Sequence, residues 1–309
     1  MRTLLFIAGM ARSGTSALAR VLSLSGAFLP RLLVAPNASN PTGHWEPSVA
    51  LRINDAFLAA NGSSWYEPGL RLQADTVISA SQEGRLIAKI GKFLGSEPIP
   101  EHGVMVIKDP RIPSLFDYWL AAARQAGFTP KIALIYRHPE EVAASLHVRD
   151  QLERDHSYLL WIKHNLLSER YTRRYQRTFL SFDHLIRDSH KEVSHLCESL
   201  EVDLEIPSRT IAEQFISEKY RHHFANSQVV DDPSPGRWAD RVYTVLRSVS
   251  CGGVDQNELD SVFDEYVRWD RRCRTSLGLS SSLPWWNPLL THMLRRQPRP
   301  RDWRHRAYK

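Results

Sequence analysis

The chain has 309 residues, of which 42% are apolar and 24% charged, the composition of a globular protein long enough to bury one large core with additions. Its formal net charge is +6, yet seven basic residues against Asp302 alone between positions 292 and 309 account for the whole excess. The body is therefore neutral, which argues against a nucleic-acid surface, and no apolar run approaches the ~20 residues of a membrane helix.

The first predicted element is a buried strand in TLLFIAG, Thr3–Gly9, rather than a signal peptide, because its short apolar run leads directly into a glycine-containing loop. That loop, GMARSGTS (residues 9–16), follows the phosphate-binding spacing G-x-x-x-x-G-K-[ST] except that Thr15 stands where the lysine belongs. A helix follows from Ser16, with Leu18, Val21 and Leu22 on one face and Gly26 as its stop. Strand, loop and helix in this order point backbone N–H groups and the positive helix end at an anion. Residues 36–100 look like an irregular insertion, with NPTGHWEP at 40–47, NGSSWYEPG at 61–69 and one helix near 79–94, building the substrate side of a cleft.

Three further strands are expected at VMVIK (104–108), KIALIYR (131–137) and TFLSF (178–182). Helices are expected at 114–127, from Pro139 with Glu140 and Glu141 in its first turn, and over about 157–175. This alternation predicts a mainly parallel sheet covered on both faces, with ligands at the carboxyl ends of its strands. GMARSGTS, KDPR and YRHP all fall at such ends and should converge. Three cysteines, Cys197, Cys251 and Cys273, are odd in number and lack metal-ligand spacing, so reduced thiols in a cytoplasmic protein are expected.

A second anion grip is expected where Arg137 ends a strand and Ser145 lies two turns into the next helix. Two anion sites, no P-loop lysine and no acidic metal motif together suggest a nucleotide with phosphates at both ends, bound without metal.

In these segments the chain resembles the sulfotransferases that use 3′-phosphoadenosine 5′-phosphosulfate (PAPS). RSGTSAL is similar to their 5′-phosphosulfate loop and RHPEEVAAS to their 3′-phosphate segment; GMARSGTSALARVL, NPTGHWEP, KDPRI, YRHPEEVAASL and FISEKYRHH resemble a bacterial branch. The resemblance spans about residues 5–225 and implies a three-layer α/β fold with a P-loop, nucleoside-kinase-like core and helical additions. It implies one domain over 1–280 and PAPS as co-substrate with no metal required, while the charge distribution marks a basic tail over 281–309. Ala11, Arg12, Ser13, Gly14, Thr15, Ser16, Arg137 and Ser145 would hold the nucleotide. The family's glycine-rich closing segment has no clear counterpart; SPGRWADR (234–241) is the nearest.

A transferred sulfuryl group carries less charge than a γ-phosphoryl group, so the cation that matters faces the bridging oxygen of the leaving nucleotide. Arg12 is the first candidate and Lys108 the second. The base that deprotonates the acceptor hydroxyl is Glu46, favoured by the resemblance, or His44, which titrates near neutrality without tuning. Asp109 is expected to orient Lys108 or Arg111. A glycan, glycolipid or small hydroxylated metabolite is the expected acceptor, with no nucleic acid as partner. The rivals are a P-loop small-molecule kinase, which Thr15 disfavours, and a nucleotide-binding relative without catalysis. SLPWWNPLLTHMLRR (282–296) before the arginine run suggests either a peripheral contact with the inner face of a membrane or a solvated end broken by Pro284 and Pro288.

Overall fold

The computed structural model describes residues 2–36, 43–74, 76, 78–206, 234–249 and 255–276. FISEKYRHH, Cys251, the membrane-contact segment and the arginine run lie outside the described residues, as do Asn40, Pro41 and Thr42 of NPTGHWEP. Among the described residues, no helix is long and apolar enough to cross a membrane.

Four strands form one parallel sheet: β1 (Arg2–Ala8), β2 (Val104–Lys108), β3 (Phe128–Tyr136) and β4 (Arg177–Ser181), in the order β2-β1-β3-β4. In this register Ile7 lies beside both Lys108 and Ala133. The chain therefore leaves β1, β2 and β3 at one edge of the sheet, and residues 9–14, 109–111 and 137–138 emerge together. The expected convergence of the three motifs is what the register produces.

Alternation along the strands builds two cores. Leu5, Ile7, Val106, Ala133 and Ile135 pack under α1 (Thr15–Leu24), α8 (Phe182–Arg187) and α9 (Ser189–Leu200). Leu4, Phe6, Met105, Ile107, Ile132 and Leu134 face α2 (Ser48–Ala60), α4 (Ala80–Ser96) and α5 (Phe116–Gln125). Phe6 meets Phe116 and Trp119 edge-on at 5.8 and 6.2 Å, an arrangement worth about 0.5–1.5 kcal/mol per pair beyond area burial. A third core joins α6 (Pro139–Asp150), α7 (Arg154–Thr172), α10 (Pro235–Ser248) and α11 (Gln256–Ser276) around Trp161, Trp238 and Tyr266.

The region read as an irregular insertion is largely helical. Besides the short α3 (Arg71–Ala74) it carries α2, whose buried Ala50, Asn54 and Leu58 recur every fourth residue. The polar Asn54 conceals that stripe in the sequence; it is buried because its side chain bonds Trp119 Nε1 at 2.9 Å and Asp109 at 3.2 Å. Ser79 and Gln82 close a reciprocal capping box at the start of α4. SPGRWADR, the nearest counterpart of a closing segment, forms the start of α10. Ser234 caps it, Trp238 is buried, and Arg241 is held by Glu258 and Glu265 of α11.

Candidate active site

The loop after β1 is shaped by two close approaches. At Gly9, φ is 138° and a Cβ would stand 2.2 Å from the Ile135 carbonyl oxygen; at Gly14, φ is 89° and a Cβ would stand 2.2 Å from the Phe182 ring. Only glycine meets both conditions. Gly14 also leaves the N-terminus of α1 without a side-chain cap, so its first N–H groups are free to face an anion. Between the glycines, Arg12 has a left-handed backbone, φ 72°, which is costly for a residue with a Cβ. Its side chain fixes that conformation by donating from Nε to Ser145 Oγ at 2.8 Å, and its carbonyl accepts Arg137 Nη1 at 3.3 Å. Ala11, Ser13 and Thr15 are buried, and Ser13 Oγ has no partner among the described residues. Ser16 donates to the His44 carbonyl at 3.1 Å.

Arg137 emerges from β3, 6% exposed. Its Nε holds Glu141 of α6 at 2.7 Å, its guanidinium lies 4.6 Å from the centre of the Phe182 ring, and Trp161 Nε1 donates to its carbonyl at 3.0 Å. Its Nη2 is buried with no hydrogen-bond partner among the described residues. A charged donor left unmatched costs on the order of 1–3 kcal/mol, so this edge of the guanidinium is open to a further acceptor. Arg12 is lowered to about 10, first by burial and then by the cations of Arg149 and Arg137; it stays charged at neutral pH, in a field that favours an anion. The residues of the two anion sites expected from the sequence meet, because Ser145, placed with the second, binds the arginine of the first.

Lys108, His44 and Glu46 also come together. Lys108 is 4% exposed; Nζ bonds Glu46 Oε1 at 2.5 Å and the His44 carbonyl at 3.3 Å. Glu46 lies 3.7 Å from Arg111 as well. Burial alone would push the Glu46 carboxyl up, but Lys108 and Arg111 overcome this and hold it below its ordinary value. A carboxylate so neutralised is a weak base and a firm anchor. His44 differs: burial, reinforced by Lys108, Arg149 and Arg12 against the opposing Glu46, holds its imidazole below 6.5, and Nε2 has no partner among the described residues. Neutral at pH 7, it can accept a proton. Asp109 binds Arg111 Nη1 at 3.0 Å and the Arg111 backbone N–H at 2.9 Å, so of its two expected partners it orients Arg111. Asp55 of α2 takes Arg111 Nε at 2.5 Å.

Four residues in contact or charge interaction with this group were not singled out in the sequence: Glu141, Phe182, Asp55 and Arg149. The signal available for Arg149 was its spacing, since it lies four residues beyond Ser145 on the same helix face. Among the described residues no group of three or more His, Cys, Asp or Glu side chains is placed to hold a metal ion.

No protein-family model matches the chain, and no curated protein matches it. Among solved structures it is similar to the sulfotransferase domain of the Synechococcus PCC 7002 olefin synthase, at 14% identity and TM-score 0.41, covering 86% of this chain and 94% of that one. A sulfotransferase from Alicyclobacillus acidocaldarius gives 15%, 0.44, 84% and 99% on the same measures. A sulfotransferase from Mycobacterium avium gives 16%, 0.41, 87% and 76%. Likeness this distant carries no functional argument by itself.

Proposed function

We propose that the chain is a sulfotransferase that moves a sulfuryl group from PAPS to a hydroxyl of a glycan, glycolipid or small metabolite. The observation that supports this most is the buried Nη2 of Arg137 beside Arg12, without a hydrogen-bond partner among the described residues, at a P-loop whose lysine position is Thr15. An ATP-using site would ask for that lysine with a metal; this face offers two guanidiniums, whose planar forks suit phosphate and sulfate oxygens.

The N–H groups of residues 11–16 and the start of α1 would cradle the 5′-phosphosulfate, and Arg137 with Ser145 would take the 3′-phosphate. When bound, the nucleotide supplies the sulfuryl group and departs as adenosine 3′,5′-bisphosphate (PAP). His44 removes the acceptor proton as the acceptor oxygen attacks, acting as a neutral imidazole. Arg12 and Lys108 face the charge that develops on the departing oxygen; both are held in place before reaction, Arg12 by Ser145 and Lys108 by Glu46, so little reorganisation is needed. Glu46 thus aims Lys108 while His44 serves as base, the division of labour between the two candidates that their surroundings favour.

Transfer of label from ³⁵S-PAPS to a panel of hydroxylated acceptors, in chelator, tests the proposal. Labelled product that disappears in His44→Asn supports it. Transfer of the γ-phosphate of ATP with strict metal dependence would replace it with the kinase reading.

A further inference from the structure

His44 stands in a turn whose backbone is left-handed on both sides of it, with φ 100° at Gly43 and 57° at Trp45. The second value is costly, because a bulky side chain in that region crowds its own backbone. Such strain persists only where surrounding groups over-determine it, and here those groups can be named. The Val34 N–H donates to the Glu46 carbonyl at 2.8 Å, just beyond the turn. Ser16 Oγ and Lys108 Nζ both donate to the His44 carbonyl, at 3.1 and 3.3 Å. The Arg20 guanidinium lies over the Trp45 indole, 4.9 Å from its ring centre.

Ser16 and Arg20 are four residues apart on α1, so one face of that helix meets the turn twice. The turn carrying the base is thus built on the same helix whose N-terminus follows the anion loop. Trp45 also packs on the core beneath α1, and its indole reaches back to 3.5 Å from where a Cβ on Gly43 would stand. The position of the ring therefore fixes the shape of the turn. These contacts act on the backbone of His44 and its neighbours; its ring Nε2 has no hydrogen-bond partner among the described residues.

We propose that Arg20 and Trp45 are positioning residues for the base: Arg20, through the Trp45 indole, holds the turn in the conformation that presents His44 to the acceptor hydroxyl. The proposal rests on the sulfotransfer reading with His44 as base, and it adds two residues that act through the backbone. Without the stack, the strain at Trp45 is released by rotation of the turn and the imidazole moves toward solvent. Its titration, set below 6.5 by burial first, with Glu46 opposing and Lys108, Arg149 and Arg12 adding, then returns toward 6.5. Proton removal needs the neutral imidazole, so the acid limb of the rate shifts to higher pH.

The test uses two variants of the full chain. Arg20→Met removes the cation and keeps the stem; Trp45→Leu removes the ring and no charge. The His44 ring is titrated by ¹H–¹³C NMR, with the spectrum of His44→Asn identifying its signal. In both variants the ring value should rise toward 6.5. In Arg20→Met, kcat for transfer from PAPS to the acceptor that wild type labels should fall about 10-fold, with the Kd for PAP within about 2-fold. A ring value unmoved in both variants, or raised in Arg20→Met alone as loss of its charge would cause, would overturn the proposal. So would an Arg20→Met kcat within about 2-fold of wild type, or PAP affinity lost in step with kcat. A wild type that neither binds PAP nor transfers sulfate would sink the sulfotransfer reading separately, and the ring titration would still decide the clamp.

Discussion

Arg137→Lys isolates what the unmatched guanidinium edge contributes. In the native side chain Nε holds Glu141 at 2.7 Å, Nη1 reaches the Arg12 carbonyl at 3.3 Å and Nη2 has no partner among the described residues. A lysine ammonium can replace one of these positions, and the buried Glu141 carboxylate, 2% exposed, will draw it. The ion pair then survives, while the donor aimed at the bound phosphate is lost. A charge-assisted hydrogen bond is worth about 1.5–3 kcal/mol, so the dissociation constant for PAP should rise about 10- to 150-fold. Stability should fall by no more than ~1.5 kcal/mol, a few degrees in melting temperature, because the buried carboxylate stays paired. Calorimetric titration with PAP at fixed ionic strength reads the first quantity and thermal unfolding the second. Adenosine 5′-phosphate, which lacks the 3′-phosphate, should bind wild type and variant equally. A folded variant that binds PAP within about 2-fold of wild type would refute the assignment of Arg137 to the phosphate.

His44→Asn should cut turnover by ~10²–10⁴-fold while PAP affinity is kept; because the imidazole is held below 6.5, the wild-type rate should fall as pH drops through that lowered value, and the variant should lose this limb. Glu46→Gln should cost less turnover than His44→Asn, since it removes an anchor and leaves the base; the reverse order in steady-state assays would return the base role to Glu46. The Glu46 carboxyl is depressed below 4.5 in the folded state, so its contribution is complete above that pH and is lost as pH falls through the lower folded value. Lys108→Met should therefore be destabilised by about 3 kcal/mol at pH 7, with the gap to wild type narrowing below pH 4.5; a gap that stays constant in denaturant titrations down to pH 3.5 would contradict the pairing. Gly14→Ala places a methyl against Phe182 at a left-handed position and should abolish PAP binding even where the variant still folds, as circular dichroism would show.

Much of the frame was legible because it is local. Short β-branched runs ending in GMARSGTS, KDPR and YRHP mark strands whose carboxyl ends meet, and the parallel register then brings Arg12, Lys108 and Arg137 to one edge. Helix α6 could be read from Pro139 and the acidic pair behind it. What could not be read depends on partners distant in sequence. Glu46 is a plausible base on its own; it becomes the anchor of Lys108 only when β2 delivers Nζ to within 2.5 Å. Asn54 looks like a break in an apolar stripe until Trp119 and Asp109 satisfy it. Ser145 has the spacing of a phosphate ligand, yet its first partner is Arg12, 133 positions away. SPGRWADR has the glycine and arginine of a closing loop, but the apolar face of Trp238 commits it to a helix.

The central claim is a lysine-free loop that holds a nucleotide phosphorylated at both ends. Calorimetric titration of the full chain with PAP and with ATP, each with magnesium and with chelator, tests it most directly. The account predicts that PAP binds equally well in both conditions and more tightly than ATP; ATP binding more tightly than PAP, and only with magnesium, would contradict it.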